Sequence, residues 1–412
     1  MSTAPPESPR PRKGLFTGIH RNVVALGFTS LLTDISSEML VPILPLFITG
    51  TLGASVASLG VIEGVAECTA SGLRIGAGWL SDRIGRRKPF LVFGYGLSAV
   101  AKASMALAGS WPTVMFLRFS DRVGKGMRNP PRDALIADST QDADMGRAFG
   151  LHRAMDTLGA AMGPLLGWWL LSRWSDLGVE RYRRIFLVSA IPAALSIACL
   201  LLFVHAPRKV KQARSLASQA RALSGPFRRF LVVDAVFQLG NSSMAFMLLR
   251  TQAAGWDAGQ VSLVYLAYNL LYAALSTPLG MLSDRIGRRP LLLVGYTLYA
   301  AAYALMAWQP TRWGVFAAFL VLGVHSALIE GQARSLIADL VPRDVRATAF
   351  GVYYAVVGAA LLPASIVAGL LWERVNPAAP FMLGAGLALA AAVLLATLMP
   401  SARERQERHV TG

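Results

Sequence analysis

Charge is scarce in this sequence, and acid is scarcer than base. Only 15% of the 412 residues are Asp, Glu, Lys or Arg, with 23 acids against 40 bases, where about 25% charged is usual for a soluble domain. So little polar surface cannot clothe a soluble body of this size, and water is not its main solvent. Cysteine is nearly missing. Cys68 and Cys199 both fall inside apolar runs, which excludes a disulfide framework and any zinc spacing. The five histidines are not clustered, and there is no nucleotide loop or nucleophile constellation. No enzymatic activity, cofactor or resident metal is expected.

What the chain does have is long apolar runs of the roughly 20 residues that a helix needs to cross a bilayer. Six lie near residues 22–49, 56–80, 90–109, 112–138, 146–171 and 184–205, and six more near 229–254, 258–282, 291–309, 312–338, 346–371 and 378–399. The formal net charge of +17 could suggest nucleic acid, but the bases sit in particular loops. They precede the first run, follow the second and eighth, fill the link between the sixth and seventh, and close the chain. By the positive-inside rule both termini and these loops are cytoplasmic, and the partner is a lipid bilayer. The arginines of 173–184 are an exception on the outer side. Residues 1–21 read as a disordered cytoplasmic tail and not a cleavable signal, and 400–412 as a second tail. The two groups of runs define segments 22–205 and 229–399, joined by a basic cytoplasmic linker at 206–228 that is either a surface helix or a plain solvated connection.

The two groups are copies of one another. GWLSDRIGRRKP at 78–89 returns as GMLSDRIGRRP at 280–290, and LIAD at 135–138 returns at 336–339. A repeat at this spacing marks a duplicated six-helix unit. The loop text, with Gly78, Asp82, Arg83 and Arg86 in one copy and Gly280, Asp284, Arg285 and Arg288 in the other, resembles the hallmark loop of the major facilitator superfamily. That resemblance implies an all-α integral membrane fold of twelve transmembrane helices in two pseudo-symmetric six-helix bundles. It makes the loop residues, together with Asp138 and Asp339, elements of a gate. It also carries over an arginine implicated in proton coupling to Arg118. Gly159, Gly163, Pro164 and Gly167 spell GxxxGPxxG, similar to the antiporter motif of proton-driven exporters, although Trp168 stands where a further glycine is usual. The alternative for this motif is simple helix packing.

Ionisable residues inside a membrane helix cost about 2.5–3.5 kcal/mol each, so they face a cavity and find partners. At about 1.5 Å of rise per residue, Asp34, Glu67, Asp121, Arg122 and Asp156 fall near mid-membrane, with Glu38, Glu63, Lys102 and Arg118 in a second layer nearer the outer side. Asp34 and Glu38 are four apart, as are Glu63 and Glu67, so each pair shares a helix face. The expectation is that both pairs face the basic stripe Arg118, Arg122 and Lys125. Crowded carboxylates in low dielectric do not all ionise, and Asp34 and Glu67 are the preferred proton sites. Permanent ion pairs are the alternative. The second half is poorer in charge, and Gln238, Asn241, Tyr265, Asn269 and His325, with Asp156 from the first half, are candidates to line a substrate cavity.

The expected function is secondary active transport, a proton-coupled antiporter exporting a small organic solute by alternating access. The partners are then a small molecule and protons. The reading places the protein in a bacterial-type inner membrane and working as a monomer. Proton symport of an anionic metabolite is the alternative, with transition-metal transport through His152 and His325 or a non-transporting receptor further behind.

Overall fold

The computed structural model describes residues 20–141, 144–206, 224–308, 311–342 and 345–399, without the side chains of Ile75, Asp284 and Ala347. Residues 1–19 and 400–412 of the expected tails and 207–223 of the basic linker lie outside the described residues, while Arg21 and Gly225, placed in the tail and linker, begin helices. Every apolar run becomes a helix, because a backbone in hydrocarbon must satisfy its own N–H and C=O groups. The first half contains α1 (Arg21–Leu40), α2 (Val56–Ile84), α3 (Lys88–Ser104), α4 (Trp111–Asp138), α5 (Met145–Arg173) and α6 (Glu180–Phe203). The second contains α7 (Gly225–Gly240), α8 (Ala258–Ile286), α9 (Arg288–Trp308), α10 (Arg312–Leu340), α11 (Arg346–Arg374) and α12 (Ala379–Leu398).

Two spans are broken at corresponding points. The first continues beyond α1 through a short turn, Leu44–Leu46, and a π-helical turn, Phe47–Thr51. Pro42 and Pro45 lack the N–H groups that an unbroken helix would use there. The seventh stops at Gly240 and resumes over Met244–Ala253, where the Ser243 hydroxyl accepts from Ala245 N at 3.3 Å. Ends elsewhere are capped by local chemistry. Asp257 and Gln260 form a capping box at the start of α8, and Gly85 closes α2 with φ of 68°, the left-handed conformation that glycine adopts without strain. Arg183 accounts for part of the unexplained outer basic loop. Its guanidinium donates to the carbonyls of Ala106 and Ala108 at 2.6 and 3.1 Å, satisfying groups that the end of the third span leaves open.

The two halves repeat one packing scheme. In the first, α1 packs on α5 and α6, α4 on α2 and α3, and α3 on α6; in the second, α7 packs on α11 and α12, α10 on α8 and α9, and α9 on α12. The halves meet along α2 against α11 and α5 against α8. Ten of the twelve spans are long and apolar enough by composition to cross a membrane. The other two are α4 and α5, and α4 carries Arg118, Asp121, Arg122, Lys125, Arg128, Arg132 and Asp133 in one helix. Those two helices hold much of the chemistry.

The glycine motif of α5 is where α1 is seated. A Cβ on Gly159 would lie 2.7 Å from the Asp34 Cβ, and one on Gly163 would lie 2.8 Å from the Glu38 Cβ and 2.8 Å from Met39 N. Backbone thus meets backbone at the two acids of α1, which fixes their height. Gly163→Leu is therefore expected to cost about 1–3 kcal/mol or more through overpacking against main chain that cannot yield. Thermal unfolding in lipid nanodiscs measures it, with the exposed Leu165→Ala as the control that leaves the midpoint nearly unchanged.

Candidate functional site

Between the halves lies a cavity of about 880 Å³. It reaches one face of the protein at Asp82 and Arg334, the face where α1 begins and the α2–α3 and α8–α9 loops lie; this is termed the near face. Toward the far face the halves close. Ala57 N donates to Glu373 at 3.0 Å, and the backbones of α2 and α11 touch at Gly64 and Leu362. A separate pocket of about 290 Å³ sits at this far end, lined by Glu63, Glu67, Arg118, Arg122, Asn241 and Ser243 among others. Glu38 and Tyr265 line both spaces. The Tyr265 hydroxyl donates to Glu38 at 2.8 Å, so one hydrogen bond joins the halves and partitions cavity from pocket.

The far pocket holds a ladder of ion pairs. Arg118 donates through Nε and Nη2 to both oxygens of Glu63, at 3.1 and 3.2 Å, a bidentate pair. One turn on, Arg122 meets Glu67 at 3.0 Å. The Ser243 hydroxyl, at the break of the seventh span, donates to Glu63 at 3.2 Å and ties the ladder to the second half. Arg118 also lies 3.8 Å from buried Asp121. The expected meeting of α2 carboxylates with the α4 stripe is thus present, but the acids of α1 do not join it. Glu38 turns to Tyr265, and Asp34 faces the cavity with no hydrogen bond or ion pair among the described residues. Asp34 and Glu67 accordingly sit in different chambers.

Asp156 shares the cavity with Asp34. Its Oδ2 lies 3.5 Å from His152 Nδ1, while its Oδ1 is buried without a hydrogen bond. Asn269 and Tyr265 also line the cavity, and the Asn269 amide donates across the interface to the Ala160 carbonyl at 3.1 Å. Tyr265, Tyr268 and Tyr272 stack along α8, with centroids 5.8 and 6.4 Å apart, into an aromatic wall.

Several expected cavity residues lie elsewhere. His325 is buried inside the second half, with its Nδ1 2.7 Å from the Gly295 carbonyl oxygen and its ring against Phe237 and Tyr299. Gln238 is not at the cavity either: it donates to Asp234 at 3.2 Å and accepts from Asn241 at 2.9 Å. Asn241 reaches the far pocket and not the main cavity. The second half is also less neutral than its composition implies. Glu330 and Arg334 line the cavity, where Arg153 and Tyr272 join them in a cross-interface cluster.

The loop motif works through a neighbouring arginine. Arg86 is exposed. Buried Arg87 instead reaches Asp138 at 2.5 Å and Asp82 at 3.3 Å. In the second half Arg288 reaches Asp339 at 3.6 Å and donates to Ser283. Arg288 aligns with Arg86 in the shared loop text, yet it takes the place of Arg87, because the second loop is one residue shorter before its proline. The next base follows suit: Lys88 donates to the Leu201 and Val204 carbonyls, and Arg289 to that of Ala396. Arg83 lies over the Trp79 ring and Arg285 is exposed. Gly78 lines the cavity, and a Cβ there would lie 3.4 Å from Pro130, whereas one on Gly280 would have no neighbour within 4 Å, so Gly280 makes no close helix contact.

Besides the Arg153, Tyr272, Glu330 and Arg334 cluster, three further residues escaped the sequence reading. Arg74 lies seven residues after Glu67 on the same face of α2, a spacing that could have revealed it. Arg87 was hidden by the better alignment of Arg86. Asp234, buried in α7, accepts from Gln238 and from Tyr296, each at 3.2 Å.

A duplicated six-helix bundle enclosing a charged cavity between its halves has the architecture of a membrane solute transporter. The sequence matches the model of the Major Facilitator Superfamily over residues 26–249 and 230–411, and the chain belongs to that family. It is 34% identical over 385 residues to an uncharacterized MFS-type transporter of Methanocaldococcus jannaschii, covering 92% of this chain and 94% of that one. It is 26% identical over 333 residues to the multidrug resistance protein MdtH of Aeromonas hydrophila, covering 79% and 81%. Among solved structures, the nucleoside transporter NupG superposes with a TM-score of 0.74 at 16% identity, over 92% of this chain and 99% of that one.

The geometry distinguishes adjacent arginines. Arg87→Gln removes the buried guanidinium that pairs with Asp138 and Asp82 and is expected to destabilise the protein by about 2 kcal/mol or more, while Arg86→Gln leaves the unfolding midpoint essentially unchanged. Thermal unfolding of the two variants side by side checks it.

Proposed function

We propose that this transporter is a proton-coupled antiporter that exports a small organic solute. The observation that carries the reading is the placement of Asp34 and Asp156. They face one cavity from helices locked together by Gly159 and Gly163, with no lysine or arginine nitrogen within 4.0 Å of either among the described residues. Two neighbouring carboxylates in a low-dielectric site do not carry two charges cheaply, so a proton or a cationic group of a solute satisfies the pair in either case. Competition between the two for one site is the elementary requirement of antiport.

The likeness to a multidrug resistance protein supports the outward direction, and the positive-inside rule makes the near face cytoplasmic. The cavity is then open to the cytoplasm and closed to the outside. Alternating access would rock the two halves about the cavity, opening the contacts of α2 with α11 while the near-face loops close. Glu63 and Glu67, each held by an arginine, serve in this reading as far-side closure, and Glu38 as the link across the halves. The chain is proposed to act as a monomer in the cytoplasmic membrane, because each copy contains a whole cavity.

Reconstitution into liposomes with an imposed pH gradient tests this. A solute taken by the wild type should move against protons, and Asp34→Asn should lower gradient-driven flux by at least about tenfold. Wild-type flux with no accompanying proton movement, or an Asp34→Asn variant that follows the gradient normally, overturns the reading.

A further inference from the structure

Once the lysine and arginine ion pairs are set aside, the cavity retains acids and bases on different helices. On α1 and α5 these are Asp34 and Asp156, the latter with His152 Nδ1 3.5 Å from its Oδ2. On α2 and α4 they are Arg74 and Lys125, both lining the same space. Among the described residues neither base has a carboxylate oxygen within 4.0 Å. Arg74 lies over the Tyr354 ring, 5.0 Å from its centroid, and its Nε is buried without a hydrogen bond. Lys125 makes no hydrogen bond among the described residues.

The next turn of the same helix shows the contrast. Arg122 is neutralised by Glu67 at 3.0 Å and Arg118 by Glu63, whereas the next bases toward the near face, Lys125 and Arg74, have no such partner. A guanidinium kept within the membrane at this cost, lining a cavity and with no carboxylate partner, is matched by an anion that arrives and leaves. The acids on the other helices set the opposite requirement in the same chamber. Near Asp34 stand Asp156 of α5, Glu38 of its own helix, and Lys125 and Arg128 of α4. Arg128 is occupied with the Ser98 hydroxyl at 2.7 Å and the Tyr95 ring.

We infer that the transported solute is zwitterionic: its anionic group rests on Arg74 and Lys125, its cationic group on Asp34 and Asp156, and its body lies along the tyrosine wall of α8. A carboxylate, sulfonate or phosphate satisfies the basic end by the same chemistry, and an amine or guanidine the acidic end. The stacked rings of Tyr265, Tyr268 and Tyr272 offer a cation–π and apolar surface between the ends. A volume of about 880 Å³ holds an amino-acid derivative or a short peptide-sized amphoteric molecule. The inference deepens the antiport reading, since the cationic end would compete with the proton, but its basic end stands on separate residues and can fail separately.

The test uses the full chain in lipid nanodiscs at fixed ionic strength. The probes are amino acids and dipeptides in three matched forms: free, N-acetylated and methyl-esterified. Ligand-dependent shifts of the unfolding midpoint should be greatest for free forms. Arg74→Gln or Lys125→Gln should weaken a stabilising free form by at least about tenfold, the scale of one charge-assisted contact, while leaving its ester nearly unaffected; Arg74→Lys should restore part of the loss, which a misfolded site would not. Stabilisation confined to esters, binding indifferent to both substitutions, or no stabilisation by any form overturns the inference. Proton release in weakly buffered solution is followed in parallel. Dependence on Arg74 without proton release keeps the zwitterion site and removes antiport; release without dependence on Arg74 does the reverse.

Discussion

The ladder of Arg118 to Glu63 and Arg122 to Glu67 is the interaction on which the rest of the structure depends. Without it, α4 would bring bare guanidinium groups into hydrocarbon, at a cost no apolar neighbour could offset. With it, α2 and α4 are held in register through two turns, and the Ser243 hydroxyl can anchor the second half to the same carboxylate. Removing two acids and two bases from play also defines the site. The charges left over line the cavity, and they can be identified only by subtracting the pairs.

The duplication supplies symmetric scaffolding that the chain then breaks. Both halves use the same helix neighbours, and both interrupt their first span at corresponding positions, Leu40 and Gly240. Counted back from those breaks, Asp34 and Glu38 stand opposite Asp234 and Gln238. In the first half the pair opens onto the cavity and reaches across to Tyr265. In the second it is sealed: Gln238 and Tyr296 donate to Asp234, and no base lies beside it among the described residues. One element has become a cavity wall and its twin a packed hydrogen-bonded core. The same drift appears in the loops, where deletion of one residue makes Arg288 the counterpart of Arg87.

Membership of the fold class was legible because it rests on quantities that sequence carries locally. Length of apolar run, the return of the loop text and the distribution of arginines each report on a single helix or a single loop. Even so, α4 and α5 fall outside a test of length and apolarity, α4 because the charged residues it carries, the ladder arginines among them, lower its apolarity. The site was legible in part. Four-residue spacing put Glu63 with Glu67 and Arg118 with Arg122, and the ladder follows from those faces meeting. It could not tell that α1 is rotated to turn Glu38 toward Tyr265 and Asp34 into open space, nor that His325 packs inside its own bundle.

The sequence by itself determined that this chain lives in a membrane as two copies of six helices, because the bilayer demands the same solution of every apolar run. It also determined which helices carry charge. Tertiary structure alone decided which charges cancel, since an ion pair depends on the rotation and height of two helices that no local pattern records. The close seating of α1 on Gly159 and Gly163 sets those quantities for Asp34 and Glu38, and the meeting of α2 with α4 sets them for the ladder. From that subtraction come the acids and bases left to line the cavity.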